Sequence, residues 1–393
     1  MQPPRSDPIY LDNNATTRAA PQVLEAIWPY FAEKYGNPSS LHQLGLDASD
    51  ALGLARSHVA RLIGARSPER IVFTSGGTES DQTALRAALR ARPERRRIVT
   101  TTVEHSAVLE PLADIERDGV RVDRVRVGAG GELDLDGLLA RIDDDCALVS
   151  VMWANNETGA IHDVARVAAA CRERGVWTHV DGVQACGKIA MQVDDLGLDF
   201  VAVSAHKLHG PKGVGALYIG ANVEFAPLLY GGPQEQERRA GTENVPAIVG
   251  FGRAAQLAHA WLADPGGPRR VAELRDRLER GILERVPHCT VHAAGVARVP
   301  NTTNLRFDGL SGEALVMMLS GEGICASTGA ACASSRHRPS HVLIAMGLDA
   351  ARASSSVRFS LSRYTTEAEI ERTLEVVPAA VASLRAIAGA AAD

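Results

Sequence analysis

The sequence predicts an α/β protein with a large, mostly parallel β-sheet and a smaller α+β domain. Short β-branched runs alternate with longer helical patterns between residues 70 and 219, which is typical of parallel strands joined by helical crossovers. A break rich in Pro and Gly occurs at 263–270. The 393-residue length leaves room for two domains of ordinary size, so we expect a domain boundary at that break.

Six apolar runs are expected to form strands of the large sheet. Each run is short and rich in Val, Ile or Leu, which favours a buried strand. In chain order the runs are 70–74, 97–101, 147–152, 178–180, 200–203 and 215–219. A long helical pattern at 273–285 follows the break and leads into the smaller domain.

Composition and charge exclude several classes of function. The chain is 45% hydrophobic and 23% charged with a formal net charge of −5, so neither nucleic acid nor a membrane surface is expected as its main partner. No segment approaches the roughly 18 uninterrupted apolar residues of a membrane span, and the first residues lack the apolar core of a signal peptide. A cytoplasmic location is therefore expected. Six cysteines without C-x-x-C spacing indicate neither a metal site nor a disulfide framework.

The segment 71–81 reads IVFTSGGTESD and predicts a phosphate site. A strand ends there, Gly76 and Gly77 turn the chain, and Thr78 stands three residues before Asp81 in a capping-box-like helix start. Unpaired amides at a helix N-terminus attract anions, and glycine lets a ligand approach the backbone closely. An ordinary strand-to-helix turn is the alternative that this motif leaves open by itself.

Two further strand ends carry groups that can react or bind. Asp181 would face a crevice at the carboxyl ends of the strands, where a carboxylate can keep a pyridine nitrogen protonated. Lys207 follows another predicted strand, and a desolvated amine is a nucleophile for an aldehyde. Taken singly, the aspartate could be a helix N-cap and the lysine a solvated cation. The phosphate cradle, carboxylate and amine together indicate pyridoxal phosphate, with Ser204 and His206 holding its phosphate.

Nine short motifs follow one another along nearly the whole chain. They are YLDNNATT at 10–17, GNPSS at 36–40, FTSGGTES at 73–80, EHS at 104–106, NNE at 155–157, DGVQ at 181–184, SAHK at 204–207, RAGTEN at 239–244 and RFSLSR at 358–363. Together they resemble the motifs of the cysteine desulfurases, which are class V, fold-type I pyridoxal-phosphate enzymes in the group that contains the nitrogen-fixation (NifS) and iron–sulfur-cluster (IscS) enzymes. Each motif is short but their joint order is specific, and the last two look most like the NifS type.

The resemblance implies a seven-stranded large sheet and roles for individual residues. Lys207 would bind the cofactor aldehyde covalently, Asp181 would pair with the pyridinium nitrogen, and His105 would stack on the ring and act as an acid or base. Asn156 would lie near the ring substituents and the substrate, and Gln184 would bond the phenolic oxygen. Four residues are implied to hold the phosphate: Gly77, Thr78, Ser204 and His206.

The resemblance also implies a substrate and an assembly. Arg358 is expected to clamp the carboxylate of L-cysteine. Thr242 resembles the threonine that reaches the phosphate of the neighbouring subunit, so a homodimer is implied, with a U-type iron–sulfur scaffold protein as sulfur acceptor. We expect a large cofactor-binding domain at 16–262 and a small domain formed by 1–15 and 263–393.

Cys332 is expected to be the sulfur nucleophile. It stands among small residues, a composition suited to an exposed loop, whereas Cys325 follows Ile324 in a strand-like run. An exposed thiol ionises and reacts, while a buried one behaves as a small hydrophobe. The position of the catalytic cysteine in the family agrees, although TGAACAS at 328–334 replaces the usual S-G-S-A-C-T-S. The other cysteines are expected to be structural: Cys146, Cys171, Cys186 and Cys289.

The predicted activity converts L-cysteine to L-alanine and leaves a persulfide on Cys332 for iron–sulfur cluster assembly. A selenocysteine lyase or a cysteine sulfinate desulfinase would use nearly the same pocket. A nucleotide-binding phosphotransferase would need a G-x-x-x-x-G-K-[ST] run, which 210–215 lacks. A non-catalytic interaction protein would be expected to have lost Lys207 or Cys332, and the sequence retains both.

Overall fold

The protein was analysed as a computed structural model, which describes residues 7–329 and 339–390. The strands are β1 (Ile9–Tyr10), β2 (Ile71–Thr74), β3 (Arg97–Thr101), β4 (Arg121–Val125), β5 (Cys146–Met152), β6 (Trp177–Asp181), β7 (Phe200–Ser204), β8 (Gly215–Ile219), β9 (Cys289–Val291), β10 (Thr302–Phe307), β11 (Ile324–Cys325) and β12 (Ser356–Ser360). The α-helices are α1 (Pro21–Ile27), α2 (Pro29–Ala32), α3 (Gln43–Ile63), α4 (Gly77–Ala91), α5 (Ser106–Arg117), α6 (Leu135–Leu139), α7 (Val164–Glu173), α8 (Val193–Leu196), α9 (Val245–Ala263), α10 (Gly267–Arg285), α11 (Gly312–Gly321), α12 (His341–Ala345), α13 (Ala350–Ser354) and α14 (Glu367–Ala390).

The largest sheet has seven strands in the order β2-β8-β7-β6-β5-β3-β4. Neighbours from β7 to β4 are parallel, and β8 runs antiparallel to both β7 and β2. Because β8 is reversed, β2 points the same way as the parallel strands. The carboxyl ends of β2, β3, β5, β6 and β7 therefore meet at one edge of the sheet, and the loops after them can build a common site. The predicted mostly parallel α/β sheet is confirmed.

All six predicted runs form strands, with each end within one residue of the expected bound. The seventh strand, β4, was not predicted. Its sequence RVDRV is rich in charge, and it pairs only with β3 at the edge of the sheet. An edge strand keeps one side in solvent, so it lacks the continuous apolar run that marks the buried strands.

Helices cover both faces of this sheet. Alternate residues of β8 point to opposite faces, with Ala216 and Tyr218 packed in one cluster against α3 and α9 and Leu217 in another against α4 and α5. The period of two along a strand produces this division. Strands buried on both faces explain why the predicted runs are almost wholly apolar.

A further hydrophobic cluster lies apart from the large sheet. It contains Leu11 and residues between Val271 and Val381. Around it lie the antiparallel sheet β12-β10-β9, the pair β1-β11, and helices α10, α11 and α14. The pairing of β1 with β11 places the first described residues beside the C-terminal part of the chain. The division into domains at 1–15, 16–262 and 263–393 stays a prediction.

In the part of the chain that the structure describes, no helix is both long enough and apolar enough to cross a membrane.

Candidate active site

The loops at the carboxyl edge of the large sheet bring together most of the predicted site residues. His105 follows β3, Asn156 follows β5, Asp181 ends β6 and Lys207 follows β7. His105 and Asp181 lie near enough to shift each other's pKa, and the charge of Lys207 acts on the pKa of both. The predicted assembly of these residues at one edge is thus present in the structure, although the role of each stays a prediction.

The glycine turn before α4 is open to an anion, but it is not capped as predicted. The N-cap is Gly76, and no side chain caps the helix. Asp81 is 1% exposed and faces His179, with Oδ1 3.2 Å from Nε2. The predicted capping pair of Thr78 and Asp81 is therefore wrong, because Asp81 is turned into the core. A Cβ added at Gly77 would lie 2.8 Å from the Val183 side chain.

The N-terminal segment wraps around Lys207. Its amine donates to the carbonyl oxygens of Asn14 and Ala15, both at 2.7 Å. His206 Nδ1 lies 3.1 Å from Thr16 Oγ1, and burial together with Lys207 lowers the pKa of His206 to about 4. The lysine amine is thus held by backbone oxygens at the edge of the sheet. A solvated surface lysine would instead form hydrogen bonds with water.

Burial shifts the protonation of both Asp181 and His105. Burial raises the pKa of Asp181, while His105, Lys207 and a hydrogen bond from the Val183 amide at 2.9 Å act against that rise. Burial lowers the pKa of His105, and Lys207 adds to this while Asp181 opposes it. His105 also caps α5, with Nδ1 accepting from the Ala107 amide at 3.1 Å. Because Nδ1 accepts, the neutral ring carries its hydrogen on Nε2.

Sequence reasoning missed a layer of buried polar residues below Asp181. His179 Nδ1 lies 2.8 Å from Ser150 Oγ, and its other nitrogen faces Asp81. Burial raises the pKa of Asp81 well above its ordinary value, and Asp181 and Glu104 raise it further. A polar residue inside an apolar strand is a signal that could have found His179, which stands two positions before Asp181 in β6.

Arg358 is the most deeply buried cation at this edge, at 1% exposed. Its Nη1 donates to the Asn156 carbonyl oxygen at 2.9 Å and to Gly329 O at 3.3 Å, and its Nη2 lies 2.7 Å from Asp12 Oδ1. Among the described residues, its buried Nε has no hydrogen-bond partner. The Nε–H of this guanidinium is therefore a buried donor that no described residue accepts.

Asn14 was not predicted, yet it connects several site residues. Its carbonyl oxygen accepts from Gln184 Nε2 at 3.0 Å and from Lys207 Nζ. Its side-chain Nδ2 donates to the Asn156 carbonyl oxygen at 3.0 Å. Nothing local in the motif at 10–17 reveals these contacts, because its partners come from 142 to 193 residues away.

Thr242 is not brought into this group. Thr242 is exposed, on a segment tied to the start of α4 by a fork between Arg239 and Glu79, with N···O distances of 2.9 and 3.2 Å. Cys332 lies outside the described residues. Gly329, on its N-terminal side, contacts Arg358 as described above.

The described cysteines are poor nucleophiles. Burial raises the pKa of Cys146 to about 11 and those of Cys186 and Cys289 to about 12, and it also raises the pKa values of Cys171 and Cys325. Since the thiolate is the reactive form, these thiols are protected from reaction. Within residues 7–329 and 339–390, no cluster of three or more His, Cys, Asp or Glu could hold a metal ion.

Comparison with known proteins assigns the chain to a family. Residues 9–373 match the aminotransferase class-V family. A cysteine desulfurase of Cereibacter sphaeroides is 51% identical over 380 residues, which are 96% of this chain and 97% of that protein. The chain belongs to the cysteine desulfurases of the class-V aminotransferase family. This group consists of pyridoxal-phosphate enzymes.

Two further relatives agree with this family and with the fold. The cysteine desulfurase NifS of Azotobacter vinelandii is 46% identical over 377 residues, covering 96% of this chain and 93% of that protein. A solved NifS-like protein superimposes with a TM-score of 0.89 at 38% identity, covering 96% of this chain and all of that one. The predicted family and the predicted fold-type I architecture are confirmed.

Proposed function

We propose that this chain is a pyridoxal-phosphate-dependent cysteine desulfurase that converts L-cysteine to L-alanine and passes the sulfur on as a persulfide. The observation that carries the proposal is the meeting of Lys207, His105 and Asp181 at the carboxyl edge of the sheet. The family relationship supports the same activity, because its curated members carry that name.

The residues at this edge fit pyridoxal phosphate. The uncapped N-terminus of α4 leaves amides available for a phosphate, and Gly77 is needed at this turn because a Cβ there would lie only 2.8 Å from the Val183 side chain. Thr78, Ser204 and His206 would complete the phosphate contacts. When bound, the cofactor supplies an aldehyde for an amine and a ring that withdraws electrons from the substrate α-carbon.

Three residues of the chain would handle protons. The buried Asp181 carboxylate would hold a proton on the ring nitrogen, since that pairing gives the buried carboxylate an opposite charge. Lys207 would take the substrate α-proton on its Nζ, which lies within reach of His105 and Asp181. His105 would lie against the ring, with Nε2 as the nitrogen that donates.

Arg358 would bind the substrate and Cys332 would react with it. The Arg358 guanidinium would bind the carboxylate of L-cysteine, with the Asn156 loop beside it. The Cys332 thiolate would attack the substrate sulfur: an S–S bond forms, the substrate C–S bond breaks, and its electrons stay on carbon, which takes up a proton. The products are then alanine and a persulfide on Cys332.

The assembly is part of the proposal. Trp28, Phe31 and Leu41 are 72%, 64% and 93% exposed in the single chain, and large apolar side chains that protrude in this way favour an interface. A homodimer would cover them and would place Thr242 at the partner's phosphate. The proposed sulfur acceptor is a U-type iron–sulfur scaffold, and the proposed location is the cytoplasm.

The test measures alanine and sulfide released from L-cysteine in the presence of a thiol reductant. Wild type, Cys332→Ala and the control Cys325→Ala are compared at equal cofactor occupancy. We expect only Cys332→Ala to lose turnover while it keeps the cofactor. Equal turnover by all three proteins would contradict persulfide chemistry and favour a selenocysteine lyase or a cysteine sulfinate desulfinase. A wild type that takes up no cofactor would contradict the enzyme proposal itself.

A further inference from the structure

A second buried lysine lies next to the candidate active site. Lys188 is 7% exposed and belongs to the turn that follows Asp181. Its amine donates to Asn14 Oδ1 at 2.8 Å and makes a short hydrogen bond to Gln184 Oε1. None of the roles proposed above uses this side chain.

The partners of Lys188 are amides, not carboxylates. Within the described ranges, no Asp or Glu forms an ion pair with it. Burial lowers the pKa of Lys188 well below its ordinary value, and the nearby cations Lys207 and Arg358 lower it further. The side chain is therefore placed as a hydrogen-bond donor to neutral groups, in surroundings that do not stabilise its charge.

Two hydrogen bonds fix the orientation of the Gln184 amide: one from the Lys188 amine to Oε1 and one from Nε2 to the Asn14 carbonyl oxygen. An amide oxygen can only accept, so the oxygen of Gln184 faces the Lys188 amine and its Nε2 lies on the opposite side. There Nε2 donates to the Asn14 carbonyl oxygen at 3.0 Å. Lys207 Nζ donates to the same oxygen at 2.7 Å, so the Gln184 N–H and the Lys207 amine lie side by side on one acceptor.

Removal of the lysine amine would affect the two amides unequally. Asn14 Oδ1 also accepts from Asn301 Nδ2 at 3.1 Å, and Asn14 Nδ2 donates to Thr302 Oγ1 at 2.9 Å. Asn14 is therefore held from other directions. Gln184 depends on Lys188 for the donor to its oxygen, so its amide is the one that would turn.

We infer that Lys188 is a positioning residue that holds the Gln184 amide with its N–H directed to the Lys207 side of the site. The inference rests on the proposed function and on the hydrogen bond that the family resemblance implies between Gln184 and the phenolic oxygen of the cofactor. When the cofactor is bound, a proton on the Lys207 nitrogen would interact with the same oxygen. An N–H from Gln184 competes for the oxygen, so losing it makes the protonated nitrogen more stable and raises its pKa.

The test is a pH titration of the cofactor absorbance in the holoenzyme. Lys188→Met and Gln184→Met are each expected to raise the midpoint by about one pH unit, because a charge-assisted hydrogen bond is lost. The double variant is expected to shift no further than either single variant, since both changes remove one interaction. The exposed Lys34, changed in Lys34→Met, is the matched control and should keep the wild-type midpoint.

Other titratable groups near the two lysines are unchanged in these variants. They are His105, Asp181, Cys186, His206, His209 and Arg358. Their contributions are common to all the proteins compared. A shift confined to the Lys188 and Gln184 variants therefore reports on the hydrogen bond between these two residues.

Two results would overturn the inference. One is a wild-type midpoint in Gln184→Met, which is informative even where Lys188→Met fails to fold. The other is a double variant whose shift equals the sum of the single shifts, which would mean that Lys188 acts independently of Gln184. A wild type that shows no cofactor absorbance after incubation with pyridoxal phosphate would instead reject the proposed function, so the two failures are distinguishable.

Discussion

Arg358 and Asp12 form a partly buried ion pair, with Nη2 2.7 Å from Oδ1. The two residues are 346 positions apart, and the pair joins the segment after β1 to β12. Arg358 also donates to the carbonyl oxygens of Asn156 and Gly329, so three separate segments of the chain hold its guanidinium in place. A substrate carboxylate that binds this cation meets a donor set whose geometry is already fixed, which reduces the entropy lost on binding.

Arg358→Lys is expected to raise the KM for L-cysteine by roughly 10- to 100-fold. A lysine keeps the charge but cannot form a planar two-point contact, and it leaves the acceptors around Arg358 incompletely satisfied. Steady-state kinetics at saturating cofactor measures the effect. Arg124→Lys is the control, because Arg124 forms a similar fork with Glu116 on the edge of the sheet. Equal KM values for the two variants would argue against substrate binding by Arg358.

Ser340 lies just after the segment that contains Cys332 and caps a helix. Ser311 caps another helix and serves as its control. Ser340 Oγ caps α12, with a hydrogen bond from the Leu343 amide, and also donates to Glu157 Oε2 at 2.5 Å. Ser311 caps α11 in the same way, and its hydroxyl donates to no carboxylate in the part of the chain that the structure describes. Ser340→Ala is expected to lower kcat roughly tenfold, since small displacements near the chemistry are costly. Ser311→Ala should lose only about 1 kcal/mol of stability.

The comparison of these serine variants uses kcat and the urea midpoint measured on the same preparations. Ser340→Ala should also be the less stable of the two, because it removes a donor from the buried Glu157. A fall in kcat of similar size in both variants would show that general loosening, not the contact with Glu157, slows turnover.

Local sequence was sufficient for six of the seven strands of the large sheet and for the edge that carries the site. Asp181 and Lys207 end apolar runs, and parallel strands bring such ends together, so their proximity follows from pattern alone. Asn14 and Asp12 could not be found in this way, because their partners are distant in sequence and neither lies at the end of a long strand. The Asp81 interpretation failed because capping motifs do not reveal which face of a helix is buried.

A run of left-handed residues precedes the RAGTEN motif. Glu235, Gln236 and Glu237 have φ values of 49°, 59° and 63°, a region that costs side chains about 1–2 kcal/mol each. Arg56 makes a two-point contact with the buried Glu235 at 2.7 and 2.8 Å, and the carboxylate also accepts from the Phe73 amide. The ion pair thus holds a strained turn in the segment that leads to Thr242.

Gln236→Gly is expected to stabilise the protein by about 0.5 kcal/mol, because glycine adopts this φ without strain while losing more entropy on folding. The same substitution in the exposed middle of α9, Gln256→Gly, should destabilise by about 1 kcal/mol. Urea unfolding of both variants measures whether each substitution raises or lowers the free energy of unfolding. Destabilisation by both would show that the turn is not strained at Gln236.

Glu104 is expected to make the stability of the protein fall as the pH rises. Its carboxyl group is fully buried, its Oε1 accepts from Thr101 Oγ1 and the Met152 amide, and burial raises its pKa from 4.5 to about 8. Between these values the folded state holds a proton that the unfolded state has lost, so unfolding becomes easier with rising pH until about pH 8.

Glu104→Gln keeps an oxygen for both donors and needs no proton. From pH 6 to pH 8 the variant should gain about 2 kcal/mol relative to wild type, measured by urea unfolding, whereas the exposed control Glu94→Gln should gain nothing. A constant difference between Glu104→Gln and wild type across this range would mean that the buried carboxyl does not titrate there.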